Sequence, residues 1–408
     1  MFVLKLRLLK LAVAPLLAFG SSWSHAALAQ QVNPQAFFRN TSENSSHPQP
    51  YFRLTSFYDA PQPLPYGKPG GLIRSEPFDD YELPVDASAV RILYHSTDSR
   101  GNDVAASGVV LVPDLPPPPG GWPLIAWAHP FISAARPCAP SLMKNLHNGP
   151  LFSMYLKMGY ALVATDYVGL GTAFHGALLD LPSNAADVIY SVQAARRAVP
   201  SLGSKWIAVG EGDGASAVLE IAEFEARTGD SGFLGSVAIG VAGDVKTMME
   251  GSEKADSVTG NLVLYSSAIR AIYPAFQIRD ILTPGTIPAY KAENGICSSQ
   301  AVNRGGSLEQ LKPHWQDNPF VIDFAARNTL GLKPARAPIL VISEADSPSA
   351  SVGKAVATRM CARGDTLDFE TFGADPGSLV GDAIPAQIAW IRGRFSALPA
   401  PHFCPLTK

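Results

Sequence analysis

The feature that most constrains the fold is a rhythm that begins at Leu124. Short apolar runs bounded by turn residues alternate with stretches of helical spacing. Residues 124–128, 160–165, 206–209, 237–241, 339–343 and 367–371 are too short for helices and read as strands buried on both faces. Residues 151–158, 185–199, 215–226 and 352–362 read as helices, the second ended by Pro200, and 386–395 as a closing helix. Strands alternating with helices build a mostly parallel sheet with helices on both faces. Residues 90–94 and 108–112 add two strands ahead of it, before the turn-rich stretch 116–121.

The rhythm leaves segments that do not take part. Lys5, Arg7 and Lys10, an apolar run over 11–20, and the small-residue site Ala27-Leu28-Ala29 read as a cleavable signal peptide over 1–29. Residues 30–80, rich in Pro, Ser, Asn and Gln, read as an extended N-terminal arm. Two Asn-x-Ser/Thr patterns in it, at Asn40 and Asn44, are accounted for by that composition. The core is expected over 81–244 and 326–400. Residues 245–325, which mix Met248, Met249, Tyr265, Tyr273, Phe276 and Trp315 with Gly and Pro, read as an inserted helical cap.

At 47% hydrophobic and 16% charged residues, the chain can bury a large core. A net charge of −3 without long charged runs points away from nucleic acid and from anionic membrane surfaces. No apolar run is long enough for a permanent membrane span. Small-molecule or protein partners remain, and the oligomeric state is open. Cys138, Cys297, Cys361 and Cys404 are an even set in an exported chain, which favours two disulfides, and three pairings are open. Their spacing fits no zinc pattern, so neither a metal nor another cofactor is expected.

The chemistry of this architecture belongs on a sharp turn from strand to helix, usually Gly-x-Ser-x-Gly, whose glycines allow strand and helix to approach closely. Gly210-Glu211-Gly212-Asp213-Gly214 lies between the expected strand 206–209 and helix 215–226. Both framing glycines, Gly210 and Gly214, are in place, but the centre is Gly212. A dinucleotide loop is the competing reading. It is disfavoured because the strand comes late and because no acidic residue stands at the end of a second strand about 20 residues on.

Longer stretches carry a resemblance. Residues 69–75 (PGGLIRS), Trp127-Ala128-His129 with Cys138-Ala139-Pro140-Ser141, 159–167 (GYALVATDY) with Gly169-Leu170-Gly171-Thr172, Ala194-Ala195-Arg196 and 389–395 (AWIRGRF) resemble the secretory lipase family of the α/β-hydrolase superfamily, from about Phe57 to Phe395. The resemblance implies an α/β-hydrolase fold and a Ser-Asp-His triad for hydrolysing carboxylic esters. Asp346 matches the acid. Gly212 stands at the nucleophile position, and Pro376, within Gly373-Ala374-Asp375-Pro376-Gly377-Ser378, at the histidine position. The only histidine beyond Asp346 is His402, in the tail. In the oxyanion region the family's His-Gly is His129-Pro130, and Pro130 has no N–H to donate. Asp213 brings a carboxylate to where negative charge would develop. The resemblance also implies the pairs Cys138–Cys297 and Cys361–Cys404.

Ser and His work as a unit, and losing either typically costs about a million-fold in turnover. The expectation is therefore a secreted or periplasmic, lipase-like chain without its inherited activity, whose pocket takes a small apolar or lipid-like ligand. The alternatives are an ester hydrolase of altered mechanism, with water activated by Glu211, Asp213 and Asp346, and a structural protein of the envelope. His129 and His175 are expected to be structural hydrogen-bonders.

Overall fold

The structure is a computed structural model, and it describes residues 51–174, 176, 179–242, 265–285, 287, 297, 311–345, 348–373 and 379–405. The rest of the expected cap, the expected signal peptide, His175, Asp346 and Pro376 lie outside the described residues.

Nine strands form one sheet in the order β1-β2-β3-β5-β4-β6-β7-β8-β9. They are β1 (Leu72–Pro77), β2 (Ala87–Thr97), β3 (Asp103–Pro113), β4 (Trp122–Ala128), β5 (Ala161–Thr165), β6 (Leu202–Glu211), β7 (Phe233–Ile239), β8 (Ile339–Glu344) and β9 (Leu367–Phe372). β1, β2, β3 and β5 pair antiparallel in turn. From β5 through β4 to β9 every pairing is parallel. Each crossover between parallel strands needs a connection of a dozen or more residues, and helices supply most of them: α1 (Gly149–Lys157), α2 (Leu181–Ala198), α3 (Asp213–Thr228), α4 (Pro319–Arg327) and α5 (Pro348–Ala362), with α6 (Ile384–Phe395) after β9.

Side chains on a strand point alternately to the two faces, so the apolar strands feed two cores. Leu124, Ala126, Trp206 and Ala208 join the core that includes α2, α3 and α5. Ile125, Trp127, Ile207 and Val209 join the core that includes α1 and α6. The six parallel strands read from the sequence are all present, with shifted ends. The sheet also begins earlier than expected: β1 starts at Leu72, inside the segment read as an arm. β1 is a short edge strand with only one neighbour, and its half-exposed residues show no alternation that a sequence would reveal.

β4 is the switch point. The chain passes from β4 to β5 on one side and then returns to place β6 on the other. At such a point the loops leaving neighbouring parallel strands diverge and open a crevice at the carboxyl ends of the strands. Ala128, the last residue of β4, lies opposite Gly210 of β6. The loop after β4 and the turn after β6 therefore leave the sheet side by side.

Candidate functional site

The turn after β6 is as sharp as its glycines suggest. Gly212 caps α3 with φ 58° and ψ −119°, a backbone conformation that L side chains rarely adopt. Its N–H donates to Ile239 O (2.9 Å), and its carbonyl accepts the first bond of the helix, from Ala215 N (3.1 Å). The framing glycines are required by close approach. A Cβ on Gly210 would lie 2.2 Å from Gly214 O, and one on Gly214 would lie 2.0 Å from Ala128 O. Gly212 differs: a Cβ there would meet only Pro130, 3.3 Å from that residue's Cβ. The apex could thus hold a side chain aimed at the loop after β4, and carries none.

Asp213 opens α3, so its N–H has no acceptor within the helix. Burial dominates around its half-buried side chain and pushes the carboxyl up to about 6, while the backbones of Phe131 and of Asp213 itself work against the rise. Glu211, on the other side of Gly212, is also raised by burial and accepts from Asn148 Nδ2 (3.3 Å).

The surroundings of the turn are neutral. His129 is buried, with Nδ1 2.7 Å from Pro130 O and Nε2 3.3 Å from Asp166 O. Burial pushes its pKa down to about 4, so at neutral pH it is an uncharged ring that orders the loop. Tyr167, itself at φ 63°, packs on that ring at 4.3 Å and donates to His129 O (3.2 Å). His147, near His129, is likewise lowered by burial. Beneath this layer, the carboxylate of Asp166 accepts from Ser107 Oγ (2.6 Å), Ser141 N (2.8 Å) and Ser141 Oγ (2.6 Å), which ties the end of β5 to the loop after β4.

Beside the turn, Phe131, Arg136, Thr172, Phe174, Leu179 and Ala268 line a cavity of about 350 Å³. Ala268 belongs to a helical stretch over 265–272, within the segment expected to be the cap. Phe131, on the loop after β4, thus joins the turn's surroundings to the cavity. Arg136 is engaged by Gly171 O (2.7 Å) and Asp59 Oδ1 (2.6 Å).

The remaining sequence expectations divide clearly. Gly210, Gly212, Asp213 and Gly214 meet the His129-Pro130 loop, whereas Asp346 and Pro376 fall outside the described residues. His402 accepts the N–H of Leu367 at the start of β9 (3.2 Å), so it sits at the end of the parallel sheet opposite Gly212 and cannot reach it. Both disulfides are present, Cys138–Cys297 with a Cα separation of 5.2 Å and Cys361–Cys404 with 6.1 Å. Among the described residues no cluster of His, Cys, Asp or Glu is arranged to hold a metal, and no helix is long and apolar enough to cross a membrane. Phe131, Tyr167, Asn148 and Asp166 were not read as site residues. Asp166 and Tyr167 lie inside a motif quoted above, and nothing local marks the other two.

The sheet order, its switch point at β4 and the glycine turn between β6 and α3 define an α/β-hydrolase fold. No protein-family model matches the sequence, and no curated protein matches it. Solved structures do. The chain is similar to Candida antarctica lipase A, with a TM-score of 0.70 and 16% identity over 86% of this chain and 87% of that one. It is also similar to the rice cell wall degrading esterase LipA from Xanthomonas oryzae, with a TM-score of 0.63 and 19% identity over 81% of this chain and 98% of that one.

Proposed function

We propose that this chain is an exported, lipase-like member of the α/β-hydrolase superfamily that binds a small apolar or lipid-like ligand and does not hydrolyse esters. The observation that carries the reading is Gly212. It occupies the apex of a strand-to-helix turn at positive φ, framed by two glycines whose close contacts leave no alternative, and it has no nucleophilic atom. On this reading Asp346 is the remaining triad acid and Pro376 stands in the place of the histidine. A glycine cannot attack a carbonyl, and a proline cannot take its proton.

The cavity beside Phe131 supports binding. It is lined mainly by apolar side chains at the carboxyl ends of the strands, where ligands of such sheets sit. Two disulfides support export, since they form in oxidising compartments. Glu211 and Asp213 give little support to a carboxylate-driven hydrolase. Both carboxyls are raised by burial, and Glu211 is turned to Asn148.

The test is ester hydrolysis by the purified protein, with short and long acyl chains. The natural chain is expected to stay at the buffer rate, and native mass spectrometry or lipid panels to detect a bound amphiphile. Turnover that persists through rigorous purification would overturn the loss of chemistry. Absence of any bound amphiphile would overturn the binding role.

A further inference from the structure

The cavity beside Phe131 has one charged residue in its wall. Ala134, Ala173, Phe174, Leu179 and Ala268 make most of that wall apolar, and no acid lines it among the described residues. The charge is Arg136, on the one-turn helix Arg136–Cys138 in the loop after β4. An arginine stays protonated at any working pH and offers five N–H donors in a rigid fork. Here most of the fork is engaged. Arg136 O accepts from Gly171 N (2.8 Å) while Arg136 Nε donates to Gly171 O (2.7 Å), so the two residues clasp each other. Nη2 donates to Asp59 Oδ1 (2.6 Å) and to Tyr58 O (3.4 Å). These contacts fix the guanidinium plane, and Nη1 is left without an acceptor among the described residues.

We propose that the cavity takes a short-chain fatty carboxylate: the tail lies against the apolar wall, the head accepts a hydrogen bond from Arg136 Nη1, and Arg136 is the residue that selects the head. The proposal rests on reading this cavity as the binding site of a lipid-like ligand, and it names the chemistry of that ligand's head.

A carboxylate that leaves water for apolar surroundings loses hydration, a cost met only where the charge is paired. The Arg136 side chain is 31% exposed, so the charge that would pair with it stands where water still reaches. Nη1 supplies a charge-assisted hydrogen bond, roughly twice as strong as a neutral one, so a carboxylate gains more from it than a hydroxyl does. An ammonium head would meet a cation and no acid. Asp59 already offsets part of the Arg136 charge, which opposes an incoming anion. It stands outside the lining of the cavity, however, and its side chain is 63% exposed, so solvent weakens its hold. A cavity of about 350 Å³ is at the small end of ligand sites, which suits a tail of about eight carbons.

The experiment measures octanoate, octanol and octylammonium binding by calorimetry at about pH 7.5, with the natural chain, Arg136→Met and Asp59→Asn. The natural chain is expected to bind octanoate about 10-fold more tightly than octanol, and octylammonium least. Arg136→Met keeps an apolar stem, and in it the preference for octanoate is expected to vanish while octanol binds as before. A preference that survives in Arg136→Met would overturn the proposal. Asp59→Asn remains decisive if that variant does not fold, because it keeps an acceptor for Nη2 and removes only the competing charge. It is expected to tighten octanoate about 3-fold and to leave octanol unchanged. Octanoate binding that does not change in Asp59→Asn would count against a role for the guanidinium charge and sink the proposal. The two readings fail separately, and neither outcome involves ester turnover. A natural chain that binds none of the three probes overturns the binding role itself, whereas one that binds all three alike overturns only the choice of head.

Discussion

Asp187, on α2, accepts hydrogen bonds from Ser96 Oγ and from Val168 N (2.9 Å), and burial pushes its carboxyl up to about 7. The sign of its effect on stability follows from proton counting. Between its ordinary value of 3.8 and about 7, the folded chain holds a proton on this group that the unfolded chain has released. Its contribution is therefore complete below about pH 4 and is lost as pH rises towards 7. Asp213 acts in the same direction up to about pH 6. Asp187→Asn keeps an acceptor for Val168 N without the titration. Urea unfolding from pH 4 to 7 is expected to show a decline in stability that flattens in this variant by a few kcal/mol, on the order of 1.4 kcal/mol per pKa unit. Identical slopes in the two proteins would place the titration elsewhere. Little of this was legible at the residue scale. Gly212 could be read because a missing side chain is visible in a sequence. The packing of Tyr167 on His129 could not, because it depends on how two separate loops meet.

The elements make a different claim about the same turn, namely that its three glycines serve two purposes. Gly210 and Gly214 exist to let β6, α3 and β4 touch, since any Cβ at either would lie 2.2 Å or less from a backbone oxygen. Gly212 has room for a Cβ and is costly to replace only through its positive φ. Replacing each by alanine should separate the two purposes. Gly210→Ala and Gly214→Ala force backbone apart and are expected to lose ~3 kcal/mol or more, at or beyond the usual range for overpacking. Gly212→Ala is expected to lose about 1–2 kcal/mol, the strain of one disfavoured residue. Urea midpoints at constant m-value would rank them. If Gly212→Ala proved the worst of the three, the apex could not accept a side chain, and the view of it as a vacated nucleophile position would fall. The sequence placed this turn correctly because strand, glycines and helix are contiguous. It shortened β2 and β3, which run for eleven residues each, because their pairing partners and not their composition set their length.

At the scale of the molecule, pairing of the four cysteines was open on count and spacing, because residues 159 positions apart meet only once the sheet is built; the resemblance implied the two pairs that the structure holds. The two bridges close loops of different length and guard different things. Cys138–Cys297 ties the loop after β4 to a point 159 residues on, and Cys361–Cys404 ties α5 to the tail across 43. Loop entropy alone assigns about 5 and about 4 kcal/mol to them, with measured bridges usually giving about 2–4. The shorter bridge has a second consequence. β9 is the edge of the sheet, and the tail covers part of it: Phe369 N donates to Phe403 O (2.9 Å) and Phe403 N to Leu367 O (3.0 Å). Cys404 is the next residue, so the bridge holds this cover in place. An uncovered edge strand offers unpaired N–H and C=O groups to any other chain. Cys361→Ser with Cys404→Ser is thus expected to lower the melting temperature and to make the protein self-associate. Cys138→Ser with Cys297→Ser is expected to lower stability by a similar or larger amount without self-association. Light scattering after size exclusion, at matched distance below each melting temperature, separates the two effects. If both double variants associate equally, general instability is the cause, and the tail is not what guards the edge.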